Sequence, residues 1–203
     1  MEEKKYTAES IQVLEGVAHV RLRPQMYFQE CFDHKNLNVL VLYALCHAVD
    51  EYFDDHCNEI SIGIEGNRMV IEYNAGMSLE ISHGLTKAEC IMTKIGACSN
   101  EKKHLEVGAE FCFLGMATIN AATEKCEVNT FCNRQSGHLI FEKGNTIFTE
   151  ITSGDHTEDF TKISFEMSKE IFGDLTFDIN DLQSRINILK EKLPNLKMGL
   201  YKL

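Results

Sequence analysis

The amino-acid sequence predicts an α+β fold arranged as a two-layer sandwich. Two patterns predict it: helical spacing of apolar residues dominates the first half of the chain, and alternating, strand-like runs dominate the second half. Helices that come early and a multi-stranded sheet that comes late are typical of this fold class. The chain has 203 residues, of which 44% are hydrophobic, so it is long enough for one ordinary core.

The first half is predicted to hold two helices and a hairpin. The first helix covers residues 8–20, after the candidate cap Thr7, and Pro24 ends this region. The second helix covers residues 37–54, where apolar residues recur at positions 39, 40, 42, 45, 49 and 53. Two alternating runs, at 59–65 and 68–73, then flank Gly66-Asn67, a dipeptide that favours a two-residue hairpin turn.

The second half is predicted to build most of the sheet. A loop at residues 74–85 leads into a helix at 86–97, a polar loop and a small-residue-rich helix at 109–122. Four strand-like runs follow, at residues 126–133, 137–143, 146–152 and 161–167. An amphipathic helix is predicted at residues 178–192, and Pro194 stops it.

Composition argues against several classes of protein. No apolar run approaches the ~20 residues of a membrane span, and the charged N-terminus leads into no signal segment, so we expect a cytoplasmic protein without membrane contact. A net charge of −11 with few clustered basic residues predicts no direct nucleic-acid binding. The eight cysteines lack the C-x-x-C spacing of zinc sites, so we expect mostly reduced, buried thiols.

Several motifs occur in an order that resembles a known family. They are YTAESIQVLEG at residues 6–16, VRLRPQMY at 20–27, HAVDE at 47–51, NAGMS at 74–78, TINAAT at 118–123, EIF at 170–172 and FDI at 177–179. This series resembles the N-terminal GHKL, or Bergerat-fold, ATPase domain of the bacterial proteins DNA gyrase B and topoisomerase IV B. The resemblance runs over essentially the whole chain. It implies a mixed sheet with helices on one face.

The resemblance also implies a domain organisation. We expect a single GHKL ATPase-like domain at residues 1–203, with an N-terminal arm and first helix at 1–20, and no transducer, TOPRIM or DNA-cleavage domain. In gyrase-like proteins the arm crosses to a second protomer, where its tyrosine reaches the nucleotide. Tyr6 and Ile11 match that arm. Arm exchange would give a homodimer, and an arm folded back on its own domain is the alternative.

The residues that would hydrolyse ATP in this family are of the wrong type here. The family's catalytic glutamate, the general base for water, aligns with Tyr43, and a phenol with a pKa near ~10 cannot replace a carboxylate base. The family's asparagine, a ligand of Mg²⁺, aligns with His47, although Mg²⁺ prefers hard oxygen ligands. We expect Tyr43 and His47, four residues apart, to share one helix face and fill a shrunken pocket.

Adenine recognition is less completely lost. The family's aspartate, which accepts a hydrogen bond from the adenine amine, aligns with Asn74, while a shift of one residue would place Tyr73 there. Gly76 keeps a close-approach glycine, Met77 follows it, and Thr161 aligns with a threonine that supports the adenine contact. An ordinary strand threonine is an equally good interpretation of Thr161.

The phosphate-binding loop is the most changed part. Residues 109–115 read AEFCFLG where the family has a glycine-rich loop, and only the last glycine, Gly115, remains. Vestigial nucleotide contacts are therefore expected at Asn74, Gly76, Met77, Gly115 and Thr161, with no catalytic residue and no metal site. We expect no cofactor, or ATP and Mg²⁺ if the family activity is retained.

Together these observations favour a gyrase-B-like domain that has lost ATP hydrolysis. Such a domain would act as an interaction or regulatory module, with a type II topoisomerase subunit as its candidate partner. Two alternatives stay open. One is a divergent but active ATPase subunit of a topoisomerase, and the other is a small-molecule binding module that reuses the adenine pocket.

Overall fold

A seven-stranded mixed sheet forms the centre of the computed structural model, which describes residues 16–97, 103–108, 111 and 114–203. The strands of the described residues are β1 Glu59–Glu65, β2 Arg68–Tyr73, β3 Ile81–Ser82, β4 Leu85–Thr86, β5 Thr123–Cys132, β6 Gln135–Glu142, β7 Asn145–Ser153, β8 Phe160–Met167 and β9 Lys197–Lys202. The order across the large sheet is β7-β6-β5-β8-β2-β1-β9, and β3 and β4 form a separate two-stranded ribbon.

Helices and a short turn complete the described part. The helices are α1 Gly16–Leu22, α2 Gln25–His34, α3 Asn38–Ala44, α4 Cys46–Phe53, α5 Lys87–Thr93, α6 Gly115–Ala121, α7 Lys169–Phe172 and α8 Ile179–Lys192, with a 3₁₀ turn at Lys103–Val107. None of these helices is long and apolar enough to cross a membrane.

The sheet buries one face against the helices. Along β8, Thr161, Ile163, Phe165 and Met167 are buried, whereas Lys162 and Glu166 between them are exposed. This alternation is expected for a strand with one covered face, because successive side chains point to opposite sides of the sheet. The predicted α+β two-layer fold is therefore confirmed. The sheet is mixed because β9 runs parallel to β1, while its other neighbouring strands pair antiparallel.

Strand and hairpin predictions agree well with the structure. The turn at Gly66-Asn67 joins β1 to β2 with Glu65 opposite Arg68, and Gly66 has the positive φ of 56° that such a turn favours. The four predicted runs of the second half are β5 to β8. The last predicted helix is α8, and Asp178 caps it by accepting hydrogen bonds from two backbone N–H groups.

The long helix predicted at residues 37–54 is wrong as a single element. It is two helices, α3 and α4, separated at Leu45. There the Leu45 backbone N–H bonds the Leu42 carbonyl, three residues back, at 3.4 Å. A three-residue step tightens the helix and turns the faces of α3 and α4 relative to each other. The apolar spacing could not reveal this break, because both segments are buried almost all round.

Two other predictions need correction, and some elements were not predicted. The helix at 86–97 is only α5, Lys87–Thr93, and the described part of the helix at 109–122 is only α6, Gly115–Ala121. The elements α2, α7 and β9 had no sequence prediction. Pro24 does end one helical region, but it is also the N-cap residue of α2, where its φ of −62° and ψ of −30° are already helical. Residues 8–15 of the first predicted helix lie outside the described residues.

Most of the described cysteines are free thiols, as expected. Cys31, Cys57, Cys126 and Cys132 are buried, and Cys90 is partly buried. Burial raises the pKa of Cys31 to about 12 and that of Cys132 to about 11, so both thiols stay protonated at neutral pH. Cys46 is disulfide-bonded, so the expectation of a reduced thiol is wrong for this residue.

A capping box at the start of α5 gives a test of local stability. The Thr86 hydroxyl accepts the Glu89 backbone N–H at 3.0 Å, and the Glu89 carboxylate accepts the Thr86 backbone N–H at 2.9 Å. We expect Thr86→Ala to lower the free energy of unfolding by about 1 kcal/mol, because one buried helix N–H loses its acceptor. Thr86→Ser should keep most of the stability. Equal urea midpoints for wild type and Thr86→Ala would contradict the role of this cap.

Candidate functional site

A half-open cavity of about 710 Å³ lies between α4, the loop after β2, α5 and the ends of β5 and β8. The HAVDE motif contributes His47 and Glu51 to its wall, and the NAGMS motif contributes Asn74, Gly76 and Ser78. Two motifs that are far apart in sequence therefore meet at one cavity. A cavity of this size that is lined by polar and apolar side chains is a candidate site for ligand binding.

His47, which lines the cavity, forms a hydrogen bond with the buried side chain of Tyr73, which does not line it. The Tyr73 hydroxyl lies 3.0 Å from His47 Nδ1, and each residue is only 4% exposed. Burial raises the pKa of Tyr73 well above its ordinary value and lowers the pKa of His47. Both groups are therefore neutral at physiological pH. A proton on Nε2, which faces the Glu51 carboxylate at 3.6 Å, leaves Nδ1 free to accept the hydrogen bond of the phenol.

The polar contact continues from His47 towards solvent. His47 Nε2 lies 3.6 Å from Glu51 Oε1, and the other oxygen of Glu51 lies 3.0 Å from His56 Nδ1. The Glu51 side chain is 23% exposed and that of His56 is 70% exposed. A Tyr–His–Glu–His chain thus runs from the core to the surface. This chain of contacts was not predicted from the sequence. The alternation along β2 did signal that Tyr73 is buried, since Met69, Ile71 and Tyr73 lie on the same, buried side of the strand.

Tyr43 is placed differently from the prediction. It is buried on α3 and is not among the residues that line the cavity. Burial, followed by the nearby charge of Glu30 on α2, raises its pKa to about 12. The expectation that Tyr43 and His47 fill one pocket from one helix face is wrong, because the break at Leu45 separates their two helices.

Asn74 uses its side chain within the fold. Its Oδ1 accepts the backbone N–H groups of Asn58 and Glu59 at 3.0 and 2.9 Å, and its Nδ2 donates to Asn58 Oδ1 at 2.9 Å. The residue is exposed at the rim of the cavity, whereas Tyr73, one position earlier, points inward. In the register of the structure, Tyr73 lies opposite Thr161 of β8.

Thr161 and Met77 hold the loop after β2 against the sheet. The Met77 backbone N–H donates to the hydroxyls of Thr130 and Thr161 at 2.8 and 3.1 Å, and the Thr161 hydroxyl donates to the Ala75 carbonyl at 2.7 Å. The Met77 side chain is fully buried. Both residues are therefore brought to the site, where their hydrogen bonds position the backbone of the loop.

Gly76 and Gly115 have backbone reasons to be glycine. A Cβ on Gly76 would lie 2.4 Å from the Phe131 carbonyl oxygen, so the loop can pack on β5 only without a side chain. Gly115 begins α6 with φ 68°, in the left-handed region. The rest of the segment that aligns with the glycine-rich loop lies mostly outside the described residues, as do Tyr6 and Ile11 of the arm.

The charge of the cavity is unfavourable for a triphosphate. Its described wall carries the carboxylates of Glu51, Asp54, Glu158 and Asp159 but one lysine, Lys87. That lysine already pairs with Glu80 at 3.0 Å. Among the residues that the structure describes, no group of three His, Cys, Asp or Glu side chains has the arrangement of a metal site.

Comparisons with known proteins place the chain close to the ATPase-bearing subunits of type II topoisomerases. No protein-family model matches it. It is 27% identical over 193 residues to DNA gyrase B of Rickettsia felis, an alignment that covers 92% of the chain and 24% of the relative. It is 27% identical over 202 residues to the B-type subunit of the type 2 topoisomerase of Aquifex aeolicus, with 97% and 25% covered. DNA gyrase B of Synechocystis is 31% identical over 191 residues, with 91% and 18% covered.

The fold comparison agrees. The 43K ATPase domain of Thermus thermophilus gyrase B, solved in complex with an aminocoumarin, matches with a TM-score of 0.72 and 23% identity, covering 93% of the chain and 49% of that structure. The chain spans about a quarter of the length of the curated relatives from Rickettsia felis and Aquifex aeolicus. Sequence and fold together identify the chain as a divergent relative of the GHKL ATPase domain of DNA gyrase B.

Proposed function

We propose that the chain is a single gyrase-B-like domain that does not hydrolyse ATP and that acts by contact with a type II topoisomerase subunit. One observation carries the first part of the proposal: His47, which lines the cavity, is hydrogen-bonded to the buried side chain of Tyr73. In the resemblance the position of His47 belongs to a magnesium ligand, and a shift of one residue from Asn74 would put Tyr73 at the position of the base-recognising carboxylate. Here both side chains are neutral, and each is hydrogen-bonded to the other.

The general base is replaced as well. The position that aligns with the catalytic glutamate is Tyr43, whose phenol has a pKa of about 12 and is buried away from the cavity. A group that is protonated throughout the physiological range cannot take a proton from water. Glu51 places a carboxylate beside His47, but it already lies against both His47 and His56, which favours a structural role.

The electrostatics of the cavity support the same proposal. Binding of a triphosphate would bring several negative charges towards four carboxylates, and like charges a few ångström apart near a surface oppose each other by a few kcal/mol, roughly. The backbone that would compensate for this in the family is a glycine-rich loop. The aligned residues here are bulky, with Gly115 as the remaining glycine.

The contact role rests on what the chain has kept. More than nine-tenths of it aligns with subunits of type II topoisomerases, and it keeps the sheet and helices of their ATPase domain. A surface of the same shape can dock where such a domain docks, or can pair with one. The net charge of −11 favours a protein partner over DNA.

A first experiment measures ATP turnover. We expect purified chain, with Mg²⁺ and millimolar ATP, to release phosphate no faster than buffer, because a buried phenol stands at the position of the family's base. Glu51→Gln is the matched variant, since it removes the carboxylate that lies against His47. Turnover that scales with wild-type protein and disappears in Glu51→Gln would contradict the loss of hydrolysis.

A second experiment tests the partner. We expect the chain to change the rate at which purified gyrase supercoils relaxed plasmid, in proportion to the amount added, because it can compete for the contacts of an ATPase domain. A chain unfolded by heat and cooled on ice serves as the control for added acidic protein. No effect at a tenfold excess over gyrase, together with no co-sedimentation, would contradict the contact role.

A third prediction concerns pH and follows from the burial of His47. Its pKa is lowered in the folded chain and returns to about 6.5 on unfolding, so the unfolded state takes up the proton first as the pH falls. The contribution of His47 to the free energy of unfolding is complete above about pH 6.5. It decreases as the pH falls below that value, by at most about 1.4 kcal/mol per pH unit.

The matched variants for this measurement are His47→Gln and His83→Asn. We expect His47→Gln to flatten the loss of unfolding free energy between pH 8 and pH 5.5, because glutamine does not titrate. His83 is exposed in a turn, so His83→Asn should keep the wild-type slope. Identical slopes for wild type and His47→Gln would show that His47 is not held neutral by burial.

A further inference from the structure

The strand β7 forms one outer edge of the seven-stranded sheet. It pairs with β6 on its inner side, and within the described ranges no strand or backbone hydrogen bond lies on its outer side. Eight of its nine residues are exposed. Two of them are large and apolar, Ile147 at 54% and Phe148 at 42% exposure.

This edge lacks most of the features that keep sheet edges from pairing. Protected edges are short, or carry lysine, proline or inward charges, or are twisted away by a bulge. At nine residues β7 is longer than the average strand of about 5–6 residues, and it contains no lysine and no proline. It has one irregularity, at Ile147, where the register with β6 shifts between Ile140 and Phe141. An edge of this kind is a template for another strand.

The sequence of β7 identifies a second copy of itself as the strand that fits. NTIFTEITS is nearly the same when read from either end about Thr149. In an antiparallel pair centred on that residue, Ile147 lies opposite Ile151, Thr146 opposite Thr152 and Asn145 opposite Ser153. Such cross-strand pairs of β-branched residues favour sheet formation.

Charge also selects this centre. Glu150 is the one charged residue of β7, and a pair centred on Thr149 places it opposite Phe148 of the other copy. A pair centred on Glu150 would set two carboxylates face to face, which destabilises a sheet. The antiparallel, two-fold arrangement therefore pairs the isoleucines with each other and keeps the two Glu150 carboxylates apart. Such a surface is self-complementary, as a two-fold interface requires.

We propose that β7 pairs with β7 of a second copy of this chain, antiparallel about a two-fold axis at Thr149, so that the sheet continues from one copy into the other. This contact is separate from the arm exchange implied by the resemblance, and it does not depend on nucleotide or on the proposed function.

The contact is expected to be weak. Two nine-residue strands bury less than the ~1,200–2,000 Å² of a stable interface, and the bulge at Ile147 limits the regular ladder to the central pairs. Each copy also carries a net charge of −11, so the two repel at long range. Salt screens this repulsion within about 8 Å at physiological ionic strength, and dimerisation should therefore strengthen as salt is added.

Sedimentation velocity over a range of protein concentrations tests the proposal. We expect a monomer–dimer equilibrium for wild type that shifts towards dimer in 0.5 M NaCl. Ile147→Lys should shift the equilibrium to monomer by at least tenfold in dissociation constant, because it sets a charge against Ile151 of the other copy. Ile188→Lys is the matched control on α8, with the same 54% exposure, and should dimerise like wild type.

Cysteine cross-linking tests the position of the axis. Only a residue on the axis meets its own copy, so Thr149→Cys should form a disulfide-linked dimer under mild oxidation, since antiparallel partners have Cα atoms about 4.5–5.5 Å apart. Asn145→Cys, at the far end of the strand, should not exceed wild type. A chain that stays monomeric throughout, a dimer unaffected by Ile147→Lys, or equal cross-linking at 145 and 149 would each overturn the proposal.

Discussion

The hydrogen bond between Tyr73 and His47 is the interaction on which the character of the site depends. It joins the end of β2 to α4, and His47 of this pair lines the cavity. Both side chains are almost completely buried, so each needs a hydrogen-bond partner, and this hydrogen bond provides one. A phenol and a neutral imidazole satisfy this condition without any charge. The hydrogen-bonding needs of both buried side chains are thus met within the fold.

The polar groups of the loop after β2 also form their hydrogen bonds within the fold. Met77 N–H, the Ala75 carbonyl and the hydroxyls of Thr130 and Thr161 form a closed set of hydrogen bonds between the loop and the sheet. Asn74 binds the start of β1. Residues that the family resemblance marks as vestiges of nucleotide binding thus have structural reasons to be present. The geometry of the ATPase domain is preserved by bonds that do not require its ligand.

Much of the fold follows from the sequence, and the exceptions have physical causes. β1, β2, β5, β6, β7, β8 and α8 carry clear alternation, turn dipeptides or caps, so their sequences predict them. The break at Leu45 does not, because residues on both sides of it are buried and the apolar pattern is continuous. β9 contains Gly199 and is stabilised by a parallel partner 138 positions earlier, as in the pair Ile60 and Met198. Such a pairing is set by tertiary structure. Of the residues singled out in the sequence, His47, Asn74 and Gly76 line the cavity, but the contacts they make could not be predicted. Which of Tyr73 and Asn74 faces inward depends on the phase of β2, and the helix break places Tyr43 towards α2.

Isothermal titration of Mg²⁺ and ATP into the wild-type chain tests the central claim most directly. If Tyr73 and His47 are committed to each other, millimolar nucleotide should give no more heat than dilution, and NMR signals of the His47 ring should not move. Saturable binding at one site per chain, with the His47 signals displaced, would show that the pair opens for nucleotide and would contradict the account.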